Sequence, residues 1–485
     1  MSKPLLTTQA YLIVFSLSAF PLIATAESAD TEARIAAMQQ QMEAMSRELV
    51  AMQQQLAQAR EEKEIQKKEA DKAKPAGSPV IASFKDGITF EDASGNWKMA
   101  INGRVQADNR HFSPDEDAAD TFSLRRARLG ATMTFHKDYV VRVEGEYSAS
   151  NTQLTYGYID INTLPKAKIR IGQFKTFQGQ ERSMSTNLLD FQERSMADAL
   201  LGSTYDRGVM VHGAPLLGTT YSLAYVNGTG TTDEINAKND SKDWTVRLTG
   251  NLAEMVGWKD SIVHLGGFYT DGNQASQNQT GFIPTQRTEA RGLSFFSTTP
   301  TAFNQNVDRT RSGLESILAY GSVKLQGEYI KTEFEGDGFE RDMTAWYAST
   351  MWNVTGEKFA GMYRNGVMGR LRPNSNFKVG TGGWGALQVG VRYTNFDATD
   401  YQPSNAAGTG VLLNNPNGLA DGLLVATNQA DAWTLGANWI LNPNVRLIAN
   451  LTRTNYDTPV LVRVNGNNKS LDKEDALTMR AQFDF

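Results

Sequence analysis

Between Phe122 and Tyr147 the chain alternates apolar and polar positions with a period of two. Ala127, Leu129, Ala131, Met133 and Phe135 fall on one face, and Arg126, Arg128, Gly130, Thr132 and Thr134 on the other. After His136-Lys137-Asp138 the alternation resumes, with Tyr139, Val141, Val143 and Tyr147 against Arg142, Glu144 and Glu146. Side chains alternate along a strand, so this stretch predicts a hairpin with one oily and one charged face. Aromatics close the apolar rows, and the same pattern recurs to Phe485. That combination predicts a transmembrane antiparallel β-barrel, oily face to lipid and charged face to a water-filled lumen.

Trp97 to Asp108 alternates in the same way. Further strands are predicted at 153–162, 167–174, 206–213, 220–226, 244–252, 262–271, 310–320, 322–331, 342–353, 384–396, 432–441, 445–457 and 475–485. With the two arms of the hairpin these make about 16, several near the ~9–11 residues a tilted spanning strand needs. Tight connections at 136–138, 164–166, 214–218 and 442–444 alternate with long polar ones at 109–120, 227–243, 272–287, 397–430 and 458–474. Short turns on one side and long loops on the other is the asymmetry of an outer-membrane barrel. Residues 354–383 are long where a short turn belongs, and 288–297 competes with 310–320 for one strand.

Ahead of the barrel the period changes. Residues 1–26 read as a secretory signal: Lys3, an apolar run from Tyr11 to Ile23, and a small-x-small site at Ala24-Thr25-Ala26. Residues 27–74 read as a periplasmic coiled-coil helix. Ile35, Met38, Met42, Met45, Leu49, Met52 and Leu56 form a heptad seam, continued by Ala59. The seam is about 37 Å long at ~1.5 Å per residue. A linker at 75–84, with Pro75, Gly77 and Pro79, leads into the barrel domain of 85–485.

Composition narrows the function. The chain has 485 residues, no cysteine and a net charge of −5. Its mean hydropathy is −0.42. Disulfides and thiolate metal sites are therefore excluded. The mild charge gives no nucleic-acid signature. Four histidines are scattered without metal-ligand spacing, and no cofactor or metal is called for. Ser and His show no hydrolytic arrangement, so the sequence predicts a pore and no enzyme.

Parity places Lys98, Arg104, Arg126, Arg128, Arg142, Arg247, Lys324, Arg392, Arg446 and Arg480 on the lumen wall. The same rule places Asp108, Glu144, Glu146, Glu328 and Asp484 there, so the wall is basic on balance. Basic rings are the expected device for an anion path, and the candidates are Arg104, Arg126, Arg128, Arg142, Arg247 and Lys324. Each has a second reading as one half of a structural ion pair: Arg142 with Glu144 or Glu146, and Lys324 with Glu328. Arg126 and Arg128 lead because no carboxylate lies on their own strand face.

Phe122–Gly130 resembles the phosphate-selective porin O and P family. The likeness continues at Ile171–Lys175, Phe191–Ser195, Asp206–Val209 and Thr355–Glu357, then at Trp384–Ala386, Val391–Tyr393, Asn438–Asn444 and Arg480–Phe483. The resemblance implies a homotrimeric 16-stranded outer-membrane channel for small anionic solutes such as phosphate. It further implies an inward-folded third extracellular loop, here 175–205, contributing Lys175, Arg182 and Arg194. Glu181, Asp190, Glu193 and Asp198 nearly balance those cations. A general diffusion pore therefore stays open as an alternative. So does a tether that touches the cell wall through the coiled coil, with the barrel anchored among lipid and lipopolysaccharide.

Overall fold

The computed structural model describes residues 28–72, 80–84, 87–114, 119–231, 242–274, 285–297, 307–380, 382–401, 423–425, 427–464 and 467–485. The predicted signal segment lies outside them. The chain divides into two units, Met1–Ser78 and Pro79–Phe485. In the first, Ser28–Lys72 is one α-helix of 45 residues. Met42, Met45, Leu49, Met52 and Leu56 of the seam are all more than half exposed on it. Among the described residues no helix is long and apolar enough to cross a membrane.

The second unit is a closed 16-strand antiparallel barrel. Its strands are Trp97–Ser113, Thr121–Phe135, Tyr139–Glu146, Gln153–Leu164, Ala167–Lys175, Tyr205–Gly213, Thr219–Val226 and Asp243–Asn251, then Ser261–Gln274, Val307–Tyr320, Val323–Gly336, Phe339–Asn353, Ala386–Asp397, Gln429–Asn442, Val445–Val464 and Asn467–Asp484. Each pairs with its neighbour in sequence, and the last closes onto the first, Asp484 opposite Arg104 and Asp475 opposite Ser113. Phe485 completes the seam by exchanging two backbone hydrogen bonds of 3.0 Å with Gly103. A Cβ at Gly103 would stand 2.9 Å from the Phe485 ring and 3.0 Å from Arg128 O, so a larger residue there would push the terminal ring aside.

Alternation gives the two faces that the sequence predicts. Leu129, Val143, Ile159, Leu265, Leu314, Leu435 and Leu451 are exposed outward, whereas Arg104, Arg126, Glu144, Arg247, Lys324 and Arg392 are buried inward. Aromatic pairs mark both rims. Tyr225–Trp244, Trp346–Tyr393 and Tyr393–Trp433 lie 4.5, 5.3 and 4.9 Å apart at the long-loop end. Phe377–Trp439 lies at 5.0 Å near the short turns.

Four expectations need correction. Residues 458–474 are not a loop: the last two strands run on as a paired ribbon to Val464↔Asn467. Val80–Phe84, read as linker, is a strand paired with Ile88–Asp92. Residues 288–297 supply no wall strand: Thr285–Arg287 and Ser294–Ser297 form a separate small hairpin, and Phe295 and Phe296 are fully buried. Residues 354–383 are not merely a long turn, since Phe359, Met362, Met368 and Leu371 pack against Met184, Leu189, Met351 and Ile440.

The lumen is therefore partly filled from both ends. Met196, Ala197, Leu200 and Leu201 of the third loop join Phe295, Phe296, Phe334 and Phe396 in one apolar cluster. The segment around Phe359–Leu371 builds the other. Both press against the wall between Ser261 and Asn442, and the first also reaches Tyr456, Val460 and Leu471 of the last two strands. On the early strands a smaller apolar cluster, Tyr158, Phe174, Met210, Ala224 and Val226, stands beside a lining that is otherwise polar, with Arg104, Arg126, Glu144 and Arg170 buried there.

Candidate functional site

The polar half begins with a break in alternation. Thr121–Phe135 pairs with Trp97–Ser113, but the register shifts between Gln106↔Arg126 and Ala107↔Leu124. Arg125 is the extra residue of this β-bulge, which lets two consecutive side chains turn inward. Phe122 and Leu124 stay outward, 86 % and 57 % exposed. Arg125 Nε donates to Glu193 Oε1 at 2.8 Å, and Arg126 Nη2 stands 3.7 Å from Glu193 Oε2. Strict parity missed Arg125. The legible signal was two residues, not one, between the apolar positions Leu124 and Ala127.

Arg128 lies opposite Glu146 in the register. Its Nε donates to Glu146 Oε2 at 2.7 Å, and its Nη1 to Tyr205 Oη at 2.8 Å. Arg126 and Arg128 are therefore not set apart from the other cations: carboxylates reach them from the next strand and from the third loop. Arg142 Nη2 donates to Glu144 at 2.8 Å, on its own strand, with the guanidinium 4.1 Å from the Tyr156 ring centre. Arg104 donates to Thr186 Oγ1 at 3.0 Å and lies 3.8 Å from Glu144. Arg247 Nε donates to Glu315 Oε2 at 3.1 Å. Lys324 does not pair with Glu328; its Nζ donates to Asp190 Oδ2 of the third loop at 2.6 Å.

Glu328 has a different use. Its two carboxylate oxygens accept the backbone N–H groups of Gln180 at 2.8 Å and Glu181 at 2.7 Å. These contacts draw the third loop across the interior. Asn438 Nδ2 holds Asp190 O at 2.8 Å, Gln482 Nε2 holds Asn187 O at 2.9 Å, and Arg311 Nη1 holds Leu201 O at 2.7 Å. The loop is thus pinned around the barrel circumference.

Within the loop, Arg182 and Arg194 both grip Asp198, at 2.9 and 3.3 Å. Arg182 is 1 % exposed and acts as an internal brace. Burial alone would raise the Asp198 carboxyl, but the two guanidinia outweigh it and hold it at about 2. Glu193 is a node for Arg125, Arg110 and Arg480, at 2.8, 3.4 and 2.7 Å. Burial opposes its charge, and the guanidinia of Arg125, Arg126 and Arg480 nonetheless keep it well below the carboxylate range. Lys175 ends its strand with Nζ donating to Met184 O at 2.6 Å.

Between the third loop, the wall and the Thr285–Ser297 hairpin lies a cavity of about 410 Å³. Among the described residues six guanidinium groups line it, Arg125, Arg126, Arg128, Arg194, Arg287 and Arg291, and three carboxylates, Glu193, Asp198 and Glu289. Glu289 is occupied, accepting from Arg392 Nη2 at 2.8 Å and Thr434 Oγ1 at 2.7 Å. Arg287 is turned to a backbone carbonyl, Gly292 O, at 3.0 Å. Arg291 is exposed on the cavity, with Arg125 and Glu193 as its charged neighbours. Sequence reasoning missed Arg287 and Arg291 because it placed their segment in a polar loop or a wall strand.

The profile described as phosphate-selective porin O and P matches residues 99–485. Porin O of Pseudomonas aeruginosa is 23% identical over 444 residues, spanning 84% of this chain and 93% of that protein. An uncharacterised protein of Caulobacter vibrioides is 23% identical over 352 residues, spanning 68% and 66%. Among solved structures, the trimer form of OmpT from Vibrio cholerae superposes with a TM-score of 0.48 at 11% identity, covering 80% of this chain and 99% of that one. The outer-membrane channel DcaP of Acinetobacter baumannii gives 0.45 at 11% identity, covering 83% and 100%.

Proposed function

We propose, from the premise that this chain belongs to the phosphate-selective porin O and P family, that its outer-membrane channel passes small hydrophilic solutes by passive diffusion and prefers anions such as phosphate. The observation that carries the preference is the cavity with six guanidinium groups against three carboxylates. Fixed positive charge beside low-dielectric walls concentrates anions. Guanidinium forks match phosphate oxygens. Transport on this reading needs no nucleophile, cofactor or metal.

The roles of the individual cations follow from their partners. Arg182, Arg194, Arg247 and Lys324 brace the interior. Arg104, Arg128 and Arg142 share the Glu144–Glu146 carboxylates and present a rigid basic wall. Arg126, with Arg125, Arg287 and Arg291, supplies the surplus charge. Lys175 stands at the end of its strand, in the field of Arg104, Arg128 and Arg194.

The test is the reversal potential of the purified channel across a chloride gradient, followed by phosphate titration at low salt, where screening is weak. Anion selectivity with phosphate block, both reduced in Arg291→Ala, supports the reading. Near-unit selectivity without block would leave a general diffusion pore. That outcome has its own support, since most wall cations are ion-paired.

The assembly is a homotrimer on this reading, with the helix on the periplasmic side and the barrel in contact with lipid and lipopolysaccharide. Five apolar seam residues more than half exposed on one helix call for other copies of the same helix. Deleting residues 28–72 separates a clamp from a tether. Loss of trimers on a native gel marks a clamp. Intact trimers with a weakened envelope mark a contact to the cell wall.

A further inference from the structure

A second cavity, of about 380 Å³, lies on the opposite side of the third loop, at the short-turn end of the lumen. Its floor is the turns at Pro165, Lys166 and Ala214, its wall Lys168 and His212, and its roof Phe177 of the third loop. Val367, from the inward segment of 354–383, closes one side. Its cations are two lysines and one guanidinium, Arg247, which is already held by Glu315. Among the described residues no carboxylate lines it, and Lys166 and Lys168 have no carboxylate partner. Phe177 meets the His212 ring edge-on, centres 5.9 Å apart at 87°. His212 Nε2 has no hydrogen-bond partner among the described residues, although it is buried.

We infer that this cavity is a binding site for small aromatic carboxylates. A hydrated oxyanion gains nothing from Phe177, Val367 or Pro165 and loses water beside them. A carboxylate on an aromatic ring satisfies both halves. Its charge sits between the two ammonium groups, and its ring packs edge-to-face or offset against Phe177. An apolar wall with a few convergent polar groups is the usual build of a small-molecule site.

The inference rests on the reading of the barrel as a conducting channel, and one experiment separates the two. Benzoate, acetate and phosphate are added in turn to both sides of a bilayer carrying the full-length channel, and block of the chloride current is titrated. Acetate carries the same charge without a ring. Benzoate is expected to block at roughly tenfold lower concentration than acetate, the value of one good aromatic contact with its buried area. In Phe177→Leu the benzoate-to-acetate ratio falls to within about twofold of unity. Lys168→Gln weakens both carboxylates together, and it carries the test if Phe177→Leu fails to assemble. A channel that conducts but treats benzoate and acetate alike overturns this inference alone. A benzoate preference that survives Phe177→Leu, or an acetate and benzoate block untouched by Lys168→Gln, overturns its assignment to this cavity. A folded channel with no current overturns the pore reading instead.

Discussion

Glu328 Oε2 accepts the backbone N–H of Gln180 at 2.8 Å, joining a wall strand to the first turn of the loop that crosses the barrel. The partner oxygen takes the N–H of Glu181, and Tyr347 Oη also donates to the carboxylate, at 2.6 Å. A buried carboxylate holding three donors is a clip, and removing it leaves donors unsatisfied at about 1–3 kcal/mol. Glu328→Ala is expected to free the loop from the wall. Single-channel records should then show larger and noisier openings than wild type. Unchanged conductance and noise would mean that the other loop contacts suffice.

Glu193 gives the opposite kind of prediction. It draws on Arg110, Arg125, Arg126 and Arg480 at once. Glu193→Gln keeps the shape and removes the charge, leaving six guanidinium groups against two carboxylates around the cavity. Anion selectivity, read as reversal potential, should rise. The loop should also loosen, lowering the temperature of barrel unfolding. Selectivity that falls would place the anion path away from this cavity.

Arg291 predicts a charge effect that does not depend on pH. Its guanidinium is exposed on the cavity and stays protonated, as guanidinium groups do. Arg291→Gln should therefore lower anion selectivity by the same amount in neutral and mildly alkaline solution. The measurement is the reversal potential of both proteins across that range at fixed salt. Equal selectivity of the two proteins would place Arg291 away from the anion path.

Asp198 predicts acid resistance of the third loop. Its folded value of about 2 lies below the ordinary carboxylate value, so its grip on Arg182 and Arg194 contributes stability at neutral pH. That contribution is lost only as pH falls through about 2. Wild-type conductance should persist in mild acid. Asp198→Asn removes the charge that Arg182 and Arg194 share while leaving them their backbone carbonyl partners, and should lower stability by about 1–3 kcal/mol even at neutral pH. Equal melting of the two proteins at neutral pH would show that the brace is dispensable.

Much of this molecule was legible along the chain. Alternation is a property of single strands, so the lipid and lumen faces, the strand count and the short and long ends could all be read locally. The terminal strand was clear because Leu477, Met479, Ala481, Phe483 and Phe485 hold perfect parity. Even the bulge at Arg125 left a trace, the doublet between two apolar positions.

What parity could not give is partnership across the barrel. Arg128 meets Glu146, and Arg126 meets Glu193, only through inter-strand register and loop path. Lys324 stands two pairs of strand positions from Glu328 yet bonds to Asp190, 134 residues away. The hairpin of Arg287 and Arg291 carries no lumen signature of its own. It enters because Phe295 and Phe296 find an apolar cluster built by the third loop and the facing wall. The sequence by itself therefore determined that this chain is a barrel with an oily outer face and a polar, charged inner face, because hydrophobic periodicity is local. Only the tertiary structure decided which cations remain in surplus around the cavity, because ion pairing in a lumen is settled by segments that meet there from distant parts of the chain.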